Sequence, residues 1–433
     1  MAGGLKKKIG LYGLTMVAVG SCIGSGIFIT PSSIAGHLGE PFWIIAAWLL
    51  GGVVALTGSL TFAELGNRFP AAGGVYVYIR EAFGHLWAFL YGWCILTVIT
   101  SGAIAALSLT FARYVSTLVP LDQNGMIVVG AASIAAVTTI NVLGVKLGEI
   151  FSSVFTTLKL IGIAMIVVIG IALGQAVSGE PSTVHDAPAT TMGAFALAMI
   201  GVLWSFGGWH HASYLSAETR DAARIVPRAM IIGAVIVTIT YVLANVAYLR
   251  LLPVEDMAAS QAVAADALGA VVPTGGLIVT ILIAVSTFGT IGIFTMSAPR
   301  IYYTMARDGR FFQLISRLHP KHATPVFAIL LQSGWALILL IFWGTFESLI
   351  AYVVFMDWVF MILAAFSLFV FRRKLGSATS FRVPGYPVVP LIFIIISIWF
   401  VIYTSIGQPQ QALWGTGLLV LGLPVYWLSQ KRE

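Results

Sequence analysis

From residue 10 to residue 36 the chain carries no charged side chain, and from residue 41 to residue 63 it again carries none. A membrane span needs about 20 predominantly apolar residues, so each run is long enough to cross a bilayer as a helix. Apolar stretches fall at 10–36, 41–67, 85–115, 125–143, 148–174, 191–217, 226–251, 275–305, 324–342, 345–371, 387–405 and 411–429. They read as twelve helices with short connections, leaving no room for a sizeable domain outside the membrane. Only 9% of the 433 residues are charged, against roughly 25% in a soluble domain, which excludes an ordinary soluble globule. Lys6, Lys7 and Lys8 precede the first run, but no small-residue cleavage site follows a short core, so the run reads as a span rather than a removed leader. Cys22 and Cys94 both lie inside apolar runs and build no disulfide framework.

Cytoplasmic loops hold an excess of Lys and Arg. Starting inside places every Lys and Arg on the cytoplasmic side except Arg113 and Arg250 at the outer face and Lys159 within the fifth span. That bias supports an even number of spans with both termini cytoplasmic. The net charge of +7 therefore reads as topology, not as a nucleic-acid surface.

Helix breakers inside a span are tolerated where the freed backbone is buried in protein or lines a cavity. The first span contains Ser21-Cys22-Ile23-Gly24-Ser25-Gly26, with Gly20 before it and Pro31 after it, and the sixth contains Phe206-Gly207-Gly208-Trp209. Interrupted helices at positions one and six of two five-helix units point to an inverted-repeat transporter with a site near the midplane. The division is repeat 1 at 10–174, repeat 2 at 191–371 and two further helices at 387–429. At such a break the N–H end of the second half suits a carboxylate, and the carbonyl end of the first half suits an ammonium. One break can thus grip both ends of an amino acid. Close helix packing through small residues is the alternative use of Gly20 and Gly24.

Lys159 lies mid-span, where an unpaired charge costs at least about 2.5 kcal/mol. Two roles are open: a fixed cation holding the first and eighth helices, or a proton carrier. A snorkelling structural lysine is the plain alternative. Asp357, in the tenth span, either faces the cavity or pairs inside the bundle, whereas Glu64 and Glu218 sit near cytoplasmic helix ends beside water or arginines. His210 and His211 are adjacent, so their rings diverge by about 100° on a helix and cannot ligate one metal; no metal and no cofactor is expected, and His211 reads as lining the cavity.

These motifs resemble the L-type amino acid transporter branch of the amino acid, polyamine and organocation superfamily. The resemblance runs through most of the chain: Gly24-Ser25-Gly26-Ile27-Phe28, Ala63-Glu64-Leu65-Gly66, Gly207-Gly208-Trp209, Pro227-Arg228-Ala229, Ser286-Thr287-Phe288-Gly289, Arg307-Asp308-Gly309 and Pro384-Gly385-Tyr386-Pro387. It implies an all-α integral membrane protein with the LeuT-type five-plus-five repeat, helices one and six discontinuous. It places a substrate carboxylate on the backbone of Gly24, Ser25 and Gly26, and the α-amino group near carbonyls of Ser21, Cys22 and Phe206. Trp204 corresponds to the aromatic that shuts the site from outside. Lys159 stands where sodium-coupled relatives bind sodium, with Ser286, Thr287 and Tyr241 as neighbours. Three departures stand out: Asp357 where animal members have asparagine, Trp204 in place of the usual phenylalanine, and no cysteine between Pro120 and Gly125 for a disulfide-linked heavy-chain subunit, which is therefore not expected.

The function expected is sodium-independent amino acid exchange of small or neutral substrates in the cell membrane. Alternatives are proton-coupled uptake, exchange of cationic amino acids or polyamines, and a sensor without flux. An enzyme needs a nucleophile with a base, paired acids or a metal cluster within reach; the reactive residues here are scattered one per span.

Overall fold

The computed structural model describes residues 4–174, 192–342, 346–376 and 379–430. Among them every regular element is a helix, apart from an isolated bridge between Ile9 and Thr219. In chain order the helices are α1 (Leu11–Cys22), α2 (Gly26–Leu38), α3 (Pro41–Arg68), α4 (Val75–Phe83), α5 (His85–Cys94), α6 (Thr100–Ser116), α7 (Gln123–Val142), α8 (Val145–Leu173), α9 (Met192–Phe206) and α10 (His211–Tyr214). There follow α11 (Ala222–Leu251), α12 (Val254–Ala259), α13 (Val263–Gly269), α14 (Gly275–Ser297), α15 (Pro299–Arg307), α16 (Val326–Phe342), α17 (Phe346–Leu375), α18 (Val388–Gly407) and α19 (Pro409–Gln430). Among the described residues nine helical segments are long and apolar enough to cross a membrane, and three shorter apolar helices accompany them.

Helix boundaries follow local chemistry. Pro41 opens α3, where a missing N–H costs nothing. Asp122 caps α7 by accepting the N–H of Gly125 at 2.8 Å. Pro299 separates α14 from α15, splitting the stretch read as 275–305. The stretch read as 85–115 also departs from one regular helix: residues Ile95–Ile99 form a wide π-type turn between α5 and α6. The sixth stretch, read as 191–217, is regular only to Phe206. Its expected start at 191, the start of the tenth at 345, and the terminal Lys431 and Arg432 lie outside the described residues.

Several charged side chains lie inside an otherwise apolar core, and the outer surface is apolar as well. Lys159, Glu64, Glu218 and Arg300 are all buried, while α8 exposes Val154, Leu158, Ile161 and Val168 and α19 exposes Leu413, Trp414, Leu421 and Trp427. The chain is a multi-pass membrane protein, and that outer surface suits lipid tails.

At the end of the bundle nearest the N-terminus, the buried acids Glu64 and Glu218 have arginine partners, one of the two surroundings the sequence left open. Arg300 donates twice to Glu218, at 2.7 and 2.8 Å. Arg372 donates to both oxygens of Glu64, at 2.9 and 2.5 Å, and the N–H of Val383 adds a third bond at 2.8 Å. Asp308 accepts from Arg80 at 2.5 Å and from the Tyr76 hydroxyl at 3.0 Å. Burial, with the Asp308 carboxylate beside it, pushes the Tyr76 hydroxyl well above its usual range, so it stays a donor. The N-terminal segment is tied to the same region, because the N–H groups of Lys8 and Ile9 both reach the carbonyl of Glu218.

Candidate functional site

Both glycine-rich runs are breaks. Ile23 leaves the helical region at the end of α1 (φ −79°, ψ 84°), and α2 restarts at Gly26. The second break spans residues 207–210 between α9 and α10. Gly208 has φ +122°, and a Cβ there would lie 2.6 Å from the Ser21 carbonyl oxygen, so both conformation and space exclude a side chain. A Cβ on Gly26 would overlap the Ser205 hydroxyl. The two breaks are in contact: Ser21 Oγ donates to the Gly208 carbonyl at 2.7 Å and Cys22 Sγ to the Phe206 carbonyl at 3.5 Å. Tyr241 OH spans the pair, 2.8 Å from the Cys22 carbonyl and 3.0 Å from that of Ser205.

A cavity of about 50 Å³ lies between them. From the first break it is lined by Ser21, Cys22, Gly24, Ser25 and Gly26, and from the second by Trp204, Gly207 and His211. Asp357 and Trp358 on α17, Thr100, Ala103 and Leu107 on α6, and Thr290 and Phe294 on α14 add to the wall. Three of the lining polar atoms, Ser25 Oγ, Thr100 Oγ1 and Asp357 Oδ1, are enclosed and have no hydrogen-bond partner among the described residues. Enclosed polar atoms are normally satisfied, and here all three belong to residues that line one space. The N-terminus of α2 meets the same space with N–H groups that have no intrahelical acceptor. The cavity therefore offers a partial positive end, an acid and two hydroxyls, which together suit a small molecule with a carboxylate and an ammonium.

Lys159 lies beside this cavity, not in its wall. Its ammonium donates to the carbonyls of Gly20 at 3.1 Å and Ile23 at 2.5 Å and to Thr290 Oγ1 at 2.8 Å. All three of its protons are thus used, and two hold the carbonyl end of α1. Ser286 Oγ donates to the Gly24 carbonyl at 2.8 Å and lies 3.2 Å from that of Ile23.

Several expected neighbours sit elsewhere. Thr287 bonds back to Ile283 and Ala284 on its own helix, at 2.8 and 3.1 Å; Thr290, one turn beyond Ser286, meets the lysine instead. Tyr241 joins the two breaks rather than Lys159. Ile23 contributes a carbonyl to Lys159 and no cavity surface. Phe206 packs against Trp48 and Tyr241, and its carbonyl keeps a second acceptor position, whereas that of Cys22 already accepts from the Gly24 N–H at 2.9 Å and from Tyr241 OH at 2.8 Å. His211 lines the cavity but is tethered, with Nδ1 2.6 Å from Ser297 Oγ and its ring stacked on Phe294. Sequence reading passed over Thr290, Ser205 and Thr100. Thr290 carried a usable signal, since residues four apart share a helix face; Thr100 carried none.

A family model described as amino acid permease matches residues 9–428. The chain is 32% identical over 446 residues to the serine/threonine exchanger SteT of Bacillus subtilis, covering 99% of this chain and 98% of that protein. It is 32% identical over 431 residues to the human b(0,+)-type amino acid transporter 1 (98% and 88%), and 30% identical over 434 residues to the rabbit large neutral amino acids transporter small subunit 2 (98% and 81%). The chain belongs to the amino acid permease family, in the L-type branch that its motifs resemble.

Proposed function

We propose that this protein is a sodium-independent exchanger of small neutral amino acids working by alternating access. The observation that carries the reading is the cavity between the two breaks, with three unpartnered polar atoms on the residues that line it. The α2 N-terminus and Ser25 receive the carboxylate. The second acceptor position of the Phe206 carbonyl receives the ammonium. A cavity of about 50 Å³ has room for roughly three to five water-sized groups, which favours alanine or serine over large side chains. SteT, a serine/threonine exchanger by name, supports the same class.

Sodium independence follows from Lys159. An ammonium that already joins α1 to α14 leaves the cation position filled. Twelve spans in a five-plus-five repeat, 10–174 and 191–371 with 387–429 added and both termini cytoplasmic, account for the paired breaks and the basic residues. Transport, not catalysis, is the activity.

A second reading, exchange of cationic substrates, has one observation in its favour: Asp357 Oδ1 lies unpartnered at the cavity. Counterflow in sealed liposomes tests both. Purified protein should swap external labelled L-serine or L-alanine for internal unlabelled amino acid at the same rate in sodium and in choline. Exchange of L-arginine in preference would select the second reading, and no exchange of any amino acid would reject both.

A further inference from the structure

A second cavity, of about 690 Å³, opens on the face opposite the N-terminal segment. It continues the walls of the first. On α6, Thr100, Ala103 and Leu107 line the inner space and Thr110, Tyr114 and Thr117 the outer one, at intervals of three or four residues that keep one helix face. On α2 the order is Gly26, then Thr30, Ser33 and His37. On α9 it is Trp204, then Gly201 and Leu197. The seam between the cavities is marked by Thr30 Oγ1 and Ser205 Oγ, 3.2 Å apart.

The chemistry of the outer space is one-sided. Its wall is rich in hydroxyls and amides, including Ser32, Gln261 and Gln408. Arg113 is the permanent charge among the described lining residues, and no Asp or Glu is among them. A guanidinium presents a planar fork of N–H donors that matches a carboxylate. At the rim, the Ser260 hydroxyl donates to Asp266, placing an acid near the mouth. A zwitterion entering here meets a cation and hydroxyls on the route to the central site.

We propose that this vestibule is a second, transient binding site for the amino acid, in which Arg113 receives the α-carboxylate before the ligand passes between Thr30 and Trp204. The proposal rests on the amino acid reading above. Its consequence is sidedness: Arg113 lies on one face, so it sets the apparent affinity from that face and leaves the other alone.

The test is counterflow of labelled L-serine, or of L-alanine if it is the better exchanged, in oriented proteoliposomes with the amino acid varied on one side at a time. Arg113→Gln should raise KM from the vestibule face by about two- to fivefold, the change expected of one exposed charged contact, with KM from the N-terminal face unmoved. Arg113→Lys should recover part of the loss. High ionic strength should weaken wild-type affinity on that face and shrink the gap between wild type and Arg113→Gln. An unchanged KM in Arg113→Gln, or an equal rise on both faces, overturns the proposal. A rise seen only in vesicles containing anionic lipid assigns Arg113 to a lipid headgroup and also overturns it. Should Arg113→Gln fail to fold, the salt dependence of the wild type by face decides alone: equal dependence on both faces overturns it. Wild type that exchanges no amino acid defeats the functional reading itself, a result distinct from these.

Discussion

Lys159 closes the open end of a helix. The last carbonyls of α1 lack intrahelical donors, and the ammonium supplies two of them, at Gly20 and Ile23. Lys159→Ala takes the ammonium from both and leaves the Thr290 and Ser286 hydroxyls to serve them, at about 1–3 kcal/mol for a buried acceptor left unsatisfied. The variant should insert and fold with a lower melting temperature and turn over much more slowly; unchanged exchange kinetics would reduce Lys159 to packing. Gly26 is constrained by space. Any branched side chain at that position overlaps Ser205, so Gly26→Val should lose ligand-induced stabilisation altogether, and a thermal shift equal to wild type would remove the carboxylate from this backbone. Individual residues were legible where a physical conflict announced them. A lysine in an apolar span and glycines clustered in a helix both demand an explanation. Thr100 and Ser205 announced nothing, because a hydroxyl in a helix satisfies itself on the preceding turn, as Ser205 does with the carbonyl of Gly201.

At the scale of elements, the two breaks and the ion pairs of the N-terminal face have separate roles. The breaks hold the site, while Glu218–Arg300, Asp308–Arg80 and the Lys8–Ile9 segment tie the N-terminal face together. Glu218 and Arg300 are both buried, and removing one partner of such a pair costs about 3–5 kcal/mol because the other charge is left uncompensated. Arg300→Ala should therefore lower the melting temperature sharply and increase labelling of a cysteine placed on that face; protection equal to wild type would show that the pair does not hold the face shut. The breaks were readable in the sequence because glycine clusters and a following proline have few other uses mid-span. The wide turn at Ile95–Ile99 was not, since Ile-Leu-Thr-Val-Ile fits a regular helix equally well and only packing selects the extra residue.

For the whole molecule, apolar run length carried the all-helical membrane character, and the geometry of the site came from tertiary contacts the sequence does not encode locally. Fifth and eighth spans meet at the first through Lys159 and Thr290, residues 131 positions apart. The central claim is that main-chain dipoles at two facing breaks clasp both ends of a zwitterion. The most direct measurement is the melting temperature of the detergent-solubilised protein with L-alanine, L-alaninamide and propionate, because a ligand that binds only the folded state raises stability by about 2.7 kcal/mol at a hundredfold excess over Kd. L-Alanine should raise the melting temperature, while L-alaninamide, lacking the carboxylate, and propionate, lacking the ammonium, should leave it unmoved. A shift from either truncated compound as large as that from L-alanine would contradict the claim.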